Sequence, residues 1–181
     1  MLVVMALFLT LMLIVSDIFL SVSVVQKKTI AAQQATNDLQ YNLEQIVQTI
    51  RLNKINYEYY PQPINLPAQT LALLNDQGEP IIIQKTNIGC YTGVASCISQ
   101  KIGKWGQAFI MSSNNINIES LNFYILPVKS PFVFSESTKK YDSDKQPQVT
   151  IVIRGKTIAS NPADEKIIRL QTTVSSRYYE R

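Results

Sequence analysis

Residues 2–25 read LVVMALFLTLMLIVSDIFLSVSVV. Five polar residues interrupt this apolar run: Thr10, Ser16, Asp17, Ser21 and Ser23. A helix of this length is sufficient to cross about 30 Å of bilayer hydrocarbon. Because apolar side chains would cover all of its faces, the pattern is not that of a helix buried along one side in a soluble domain. The stretch therefore predicts a membrane-spanning helix over residues 1–27.

A cleaved secretory signal is the alternative interpretation of the same run, since Ser21-Val22-Ser23 has the small residues of a cleavage site. However, Met1-Leu2-Val3-Val4 lacks the basic residues with which such signals begin, and the apolar run is too long. Asp17 is costly in lipid unless it lies near an interface or meets a partner. Lys27 and Lys28 mark the point at which the chain leaves the membrane.

The helix is expected to continue into water, because no proline occurs before Pro61 and no glycine before Gly78. Residues 28–55 form its amphipathic half, in which apolar residues recur at steps of three and four along one stripe. A helix from about residue 2 to 53 would be roughly 75 Å long at 1.5 Å per residue. The stripe consists of Ile30, Ala35, Leu39, Leu43, Ile46 or Val47, and Ile50. We expect Leu39, Leu43, Ile46 and Ile50 to pack on a β-sheet of the same chain.

Residues 56–181 predict a β-rich globular domain, because proline, asparagine and serine become frequent and short β-branched runs appear. Residues 69–74 and 81–85 flank the turn sequence NDQG and favour a hairpin. Further strands are expected at Ile116–Leu126, with a slip in alternation near Ser120, and at residues 149–154 and 167–174. Residues 87–104 are interpreted as a loop, and so are residues 139–145, which lie in the polar segment Phe132–Gln148. The predicted fold class is α+β, with the long helix packed on an antiparallel sheet.

The composition offers little support for catalysis. The chain has no histidine, which removes the commonest general base and metal ligand. We found no phosphate-binding loop, nucleophile elbow or metal-binding helix motif. Asp142 and Asp144 could donate oxygens to calcium, but they do not form a complete calcium loop. The sequence therefore predicts a protein that is not an enzyme and has no cofactor and no small-molecule substrate.

The net charge of +4, from 17 basic and 13 acidic residues, does not favour nucleic acid as a partner, because no dense Lys/Arg cluster occurs.

Cys90 and Cys97 are the only thiols, and glycine and serine surround them. In a domain outside the cytoplasm, a disulfide between them is the expected state. A pair of small buried thiols is the alternative.

Three features together resemble type IV pilins, especially minor pilins and type II secretion pseudopilins. They are the run Met1-Leu2-Val3-Val4-Met5-Ala6-Leu7-Phe8, the uninterrupted amphipathic helix after it, and the β-rich domain. The resemblance covers about the first 55 residues well. In the domain it is looser, and residues 121–124 (LNFY), 146–151 (QPQVTI) and 170–177 (LQTTVSSR) look like strands of minor pilin domains.

Members of that family carry a leader ending in glycine and then a Phe-Thr-Leu-Ile-Glu stretch. Alignment puts Met1 directly after the place of that glutamate, so we expect the natural start to lie upstream; loss of leader processing is the alternative. The resemblance implies a bacterial inner-membrane protein with an extracytoplasmic C-terminal domain, which later joins an extracellular or periplasmic filament. It implies membrane lipid and then other pilin-like subunits as partners. The helix residues expected to make those contacts are Leu2, Leu7, Leu9, Leu13, Ile18, Leu20 and Val24.

Two functions remain open at this point. The first is a structural subunit that assembles through its apolar helix. The second is a membrane-tethered extracytoplasmic binding module that recognises a surface, a secreted substrate or DNA. A helix that serves only as an anchor could end at the membrane interface and be followed by a flexible linker, but no Gly/Pro/Ser linker separates anchor and domain here. This continuity favours the structural subunit.

Overall fold

The computed structural model describes residues 2–135, 140–141, 145–159 and 165–176. A single α-helix, α1, occupies Leu2–Leu52 without interruption. Its 51 residues correspond to about 77 Å, which confirms the predicted continuous helix. The helix ends where the side-chain amide of Asn53 donates a hydrogen bond to the carbonyl oxygen of Thr49, at 2.7 Å. That bond satisfies one of the carbonyl groups that a helix end leaves without a partner.

The first sheet follows the helix and has five antiparallel strands in chain order. The predicted hairpin is present in it, with Leu74 opposite Pro80 across the turn. The side-chain oxygen of Asn75 accepts bonds from the backbone N–H groups of Gln77 and Glu79 at 3.0 and 2.7 Å. The strands are β1 (Lys54–Ile55), β2 (Thr70–Leu74), β3 (Pro80–Thr86), β4 (Cys97–Ile102) and β5 (Ala108–Ile110).

The second sheet has three antiparallel strands in the order β10-β9-β6. These are β6 (Ile116–Leu126), β9 (Gln148–Thr157) and β10 (Ile167–Ser175). The register of β6 against β9 shifts between Ile118 and Ser120, which confirms the predicted slip in alternation. A two-stranded ladder joins β7 (Phe134–Ser135) to β8 (Lys140–Tyr141). The α+β fold with antiparallel sheets is therefore confirmed, although the strands among the described residues form three sheets instead of one.

The core lies between the second half of α1 and the sheets. The helix packs mainly on β9 and β10, with a smaller contact to β1. Gly155 of β9 leaves room for two buried side chains, because a Cβ atom there would lie 2.6 Å from Cδ1 of Ile116 on β6 and 3.1 Å from Cδ1 of Leu39 on α1. Ala68, which precedes β2, and Phe123 of β6 exchange two backbone hydrogen bonds of 2.8 Å that help to join the two larger sheets.

Two loop predictions were wrong in part. Residues 87–104 contain β4, a full partner of β3 from Ile81↔Ile102 to Thr86↔Cys97. Strand β4 has buried polar side chains at Ser99 and Gln100, so it lacks the apolar alternation that identifies a strand in sequence. The predicted loop 139–145 contains β8 at Lys140–Tyr141, while residues 139 and 142–144 lie outside the described part of the chain.

Candidate functional site

The first half of α1 presents apolar side chains on every face. The exposed fractions of its large apolar residues from Val3 to Val25 run from 47% at Val22 to 72% at Val3 and Phe19. Leu2 is the first residue of the helix. The other residues predicted to contact lipid or filament neighbours are all exposed: Leu7, Leu9, Leu13, Ile18, Leu20 and Val24. By length and composition, the helix Val3–Leu52 is able to cross a membrane.

Several hydroxyl groups of this helix bond to its own backbone. Thr10 Oγ1 donates to the carbonyl of Leu7 at 2.9 Å, and Ser16 Oγ donates to that of Met12 at 2.8 Å. Thr29 Oγ1 repeats the pattern with Val25 at 3.0 Å. A hydroxyl that is satisfied within the helix costs little in lipid or in an apolar bundle. Asp17 differs from these residues, because a carboxylate is exposed in the middle of the apolar surface.

Burial begins at Ala35, and the helix becomes the scaffold of the domain from that point. Of the residues expected to pack on a sheet, Leu39, Ile46 and Ile50 are fully buried and Leu43 is half-buried. Ile30 was assigned to the same stripe, but it is 53% exposed and belongs with the apolar surface of the first half.

Asn42 is a buried residue of the helix that the predicted apolar stripe did not include. Its exposed fraction is 2%, and its Nδ2 atom has no hydrogen-bond partner among the described residues. Its spacing from Leu39 and Ile46, at three and four residues, places it on the buried stripe. The same spacing could have identified it from the sequence.

Polar contacts fix the domain to both ends of the buried half of α1. The Asp38 carboxylate accepts hydrogen bonds from Ser113 Oγ at 2.7 Å and from Asn115 Nδ2 at 3.4 Å. Beyond the helix end, Ser176 Oγ donates to the carbonyl oxygen of Asn53 at 3.0 Å. The domain is thus attached along about fifteen residues of helix, which is a rigid attachment rather than a single hinge.

Cys90 and Cys97 form a disulfide with their Cα atoms 5.8 Å apart. Cys97 is fully buried as the first residue of β4, and Cys90 lies in the preceding loop. The bridge closes this loop against the sheet. Disulfides persist in oxidising compartments, so the bridge suggests that the domain lies outside the cytoplasm.

Tyr57 and Tyr60 lie in the segment that connects β1 to β2. The Tyr60 hydroxyl accepts from the N–H of Ala72 at 2.7 Å and donates to the carbonyl of Thr70 at 3.0 Å. Burial raises the pKa of Tyr60 to about 12, although the N–H of Ala72 opposes the shift. Burial also raises the pKa of Tyr57, with a smaller effect from Tyr60. Both phenols are therefore neutral structural groups at physiological pH.

A shallow polar groove of 510 Å³ opens between β3 and β6. Lys85 Nζ donates to the carbonyl of Glu119 across it at 2.8 Å, and Glu119 forms an ion pair with Arg154. Elsewhere Lys156 pairs with Glu165. Within the described residues, no group of three or more potential ligands could hold a metal ion. Asp142 and Asp144, the calcium candidates, lie outside the described residues.

Two exposed apolar side chains at opposite ends of β4 were not identified from the sequence. Ile88 is 85% exposed in the loop before β4, and Trp105 is 91% exposed in the turn after it. Gly103 has a φ of +78°, and a Cβ atom on Gly106 would lie 1.8 Å from the carbonyl oxygen of Ile102. These two glycines therefore permit the tight turn that presents Trp105. The signal that could have identified Trp105 is its Gly-Lys-Trp-Gly context.

Comparison with protein-family models, curated proteins and solved structures finds no match to this chain. The classification therefore depends on architecture. One long helix has an exposed apolar half and a buried amphipathic half, and antiparallel β-sheets pack on the second half. This architecture is pilin-like.

Proposed function

We propose that this chain is a structural subunit of a type IV pilus or of a type II secretion-like filament, in the role of a minor pilin or pseudopilin. One observation carries the proposal. The same unbroken helix is exposed and apolar from Val3 to Val25 and fully buried at Leu39, Ile46 and Ile50. A stiff element thus joins the apolar surface directly to the folded domain.

The physical chemistry of the apolar half supports this role. An exposed apolar surface of this extent is not stable in water, where contiguous patches rarely exceed a few hundred Å². Membrane lipid covers this apolar surface before assembly, and equally apolar helices of other subunits cover it afterwards. Burial of apolar area favours such association by roughly 25 cal/mol per Å². The sheets then form the outer layer of the filament.

The proposed location follows from the helix and the disulfide. The apolar half lies in a bacterial inner membrane, and Lys27 and Lys28 mark its outer end. The domain with the Cys90–Cys97 bridge then faces the oxidising side. The chain acts mechanically, so we propose no catalytic residue and no cofactor.

Mechanical shearing of cells tests this function. Filaments are sheared from cells that produce the chain and are separated from the membranes. Antibody against the domain then measures the chain in both fractions. We expect it in membranes and also in filaments. Confinement to the membrane fraction, in cells whose filaments are intact, would contradict a role as subunit.

A membrane-tethered binding module is the second candidate, and the exposure of Trp105 and Ile88 favours it. Exposed tryptophan is typical of residues that dominate binding interfaces. In this case Trp105→Ala would abolish attachment to the recognised surface or secreted substrate. As a filament subunit, the same variant would still enter filaments. The two outcomes separate the candidates.

A further inference from the structure

The charges of the first part of α1 are few and have a regular separation. Between residues 2 and 37, the charged residues are Asp17, Lys27 and Lys28. All three are exposed on the helix. Eleven residues correspond to about three helical turns, so Asp17 and Lys28 lie on the same face. The hydroxyl residues Thr10 and Ser21, at seven and four residues from Asp17, share that face.

A contact within one chain cannot join these charges. Along the axis, Asp17 lies about 15 Å from Lys27 and about 16 Å from Lys28. An ion pair needs the carboxylate oxygen and the ammonium nitrogen within about 4 Å. Side chains on a straight helix do not cross three turns, so the carboxylate needs a partner from outside its own chain.

Assembly makes such a partner necessary. If apolar halves pack together, the Asp17 carboxylate loses water, and an unpaired buried charge is strongly destabilising. A second copy of this chain carries its nearest cations at Lys27 and Lys28. Copies that leave one membrane are parallel, so these cations reach Asp17 only when the copies are displaced along the helix axis.

We propose that neighbouring copies pack in parallel with a stagger of ten to eleven residues, about 15–17 Å, so that Asp17 of one copy pairs with Lys27 and Lys28 of the next. This inference rests on the proposed function and specifies the partner and its register. The charge pair selects one register from a uniformly apolar surface that would otherwise allow many. A polar residue in an otherwise apolar helix interface is known to specify the register of the helices.

Cysteine cross-linking of the full chain measures the stagger. Leu13 and Val24 are eleven residues apart and lie close to the face of Asp17. One copy carries Leu13→Cys and a coexpressed copy carries Val24→Cys. Because a disulfide needs Cα atoms within about 7 Å, we expect about tenfold more covalent dimer from this pair than from Leu13→Cys paired with itself. The natural cysteines already form a bridge and do not compete.

Charge exchange tests the pairing itself. Asp17→Lys should lower the assembled fraction about tenfold or more, because like charges then meet in the interface. Adding Lys27→Asp and Lys28→Asp should restore most of it. The matched control adds Gln33→Asp and Gln34→Asp to Asp17→Lys instead and should not restore assembly. Normal formation of the Cys90–Cys97 bridge shows that each variant is exported and folded.

The outcomes separate this inference from the proposed function. Cross-links between identical positions, or normal assembly of Asp17→Lys, would overturn the stagger and leave the filament role intact. Failure of the unsubstituted chain to assemble, together with the absence of any cross-link, would overturn both. Dimers from the staggered pair and rescue by charge exchange would support the proposed register.

Discussion

At the residue scale, Tyr57 and Tyr60 show how hydrogen bonding determines what a buried hydroxyl contributes to the free energy of unfolding. Tyr60 has two partners, the N–H of Ala72 and the carbonyl of Thr70, whereas the Tyr57 hydroxyl has none among the described residues. We expect Tyr60→Phe to lower the free energy of unfolding by about 2 kcal/mol, since Ala72 loses its acceptor. Tyr57→Phe should leave it unchanged or raise it by up to about 1 kcal/mol. Urea denaturation of residues 28–181 provides both values.

Tyr60 also predicts how the free energy of unfolding decreases at alkaline pH. The pKa of Tyr60 is about 12 in the folded chain, against 10.0 for an ordinary tyrosine. Between pH 10 and pH 12 the unfolded chain releases a proton that the folded chain retains. The contribution of Tyr60 to stability is therefore fully present below pH 10 and falls as the pH rises. The expected slope is about 1.4 kcal/mol per pH unit for this group. Tyr60→Phe should reduce the slope, and an unchanged slope would contradict the assignment.

The disulfide provides a second prediction at this scale. Replacing both Cys90 and Cys97 with serine should lower the free energy of unfolding by roughly 2.5 kcal/mol, the loop-closure value for an eight-residue loop. Denaturation with and without the substitutions measures this difference. Thiol labelling of denatured, unreduced protein provides the control. Two reactive thiols in exported protein would contradict both the bridge and the extracytoplasmic location.

At the scale of elements, Gly155 of β9 leaves room for the side chains of Ile116 on the neighbouring strand β6 and of Leu39 on α1. Gly155→Ala would place Cβ 2.6 Å from Ile116 Cδ1, and Ile116 is fully buried. We expect a loss of about 1–3 kcal/mol in the free energy of unfolding, because overpacking forces neighbouring side chains away from their preferred rotamers. Urea denaturation measures this loss.

Ile116→Val is the matched control for this contact, because it removes the Cδ1 atom that lies nearest. The double variant Gly155→Ala/Ile116→Val should be more stable than the sum of the two single losses predicts. Simple additivity would mean that the cost of Gly155→Ala arises elsewhere, for example from the 3.1 Å approach to Leu39.

The elements differ in how far the sequence predicts them. The helix was predictable nearly to its last residue, because apolar periodicity continues to Ile50 and Asn53 can end it. Strand β6 was predictable with its bulge, since its inward residues alternate on both sides of Ser120. Strand β4 was not, because Ser99 and Gln100 are buried in it through tertiary contacts. Burial of that kind overrides local propensity.

The candidate site likewise has features that the sequence predicts and features that it does not. The apolar half of the helix follows from composition alone, and the cysteine spacing favours the bridge. The location of Asn42 was missed because its type suggested solvent, although its spacing indicated the buried stripe. The exposure of Trp105 depends on the turn between β4 and β5, and no strand was predicted on either side of that turn.

At the scale of the whole molecule, the domain should fold without its apolar half. A chain beginning at residue 28 retains the buried helix residues from Ala35 to Ile50 and both larger sheets. We expect a soluble monomer, because its own sheets cover the helix stripe. Light scattering measures its mass. A stable dimer would mean that part of this surface serves contacts between subunits.

The central claim is that the continuous helix rigidly couples the domain to the apolar half that packs in the filament. Ala32 lies between the exposed half and the first buried residue, Ala35. Ala32→Pro removes a backbone hydrogen bond and costs the helix about 3 kcal/mol. The matched control, Ala32→Gln, changes the side chain but keeps a good helix former. Both variants should insert in the membrane and form the Cys90–Cys97 bridge.

Incorporation of these two variants into sheared filaments, relative to the unsubstituted chain, tests this claim most directly. We predict that Ala32→Gln enters filaments normally and that Ala32→Pro remains in the membrane fraction with a folded domain. Normal incorporation of Ala32→Pro would contradict the account, because the helix would then act as a tether and not as the rigid part of a subunit.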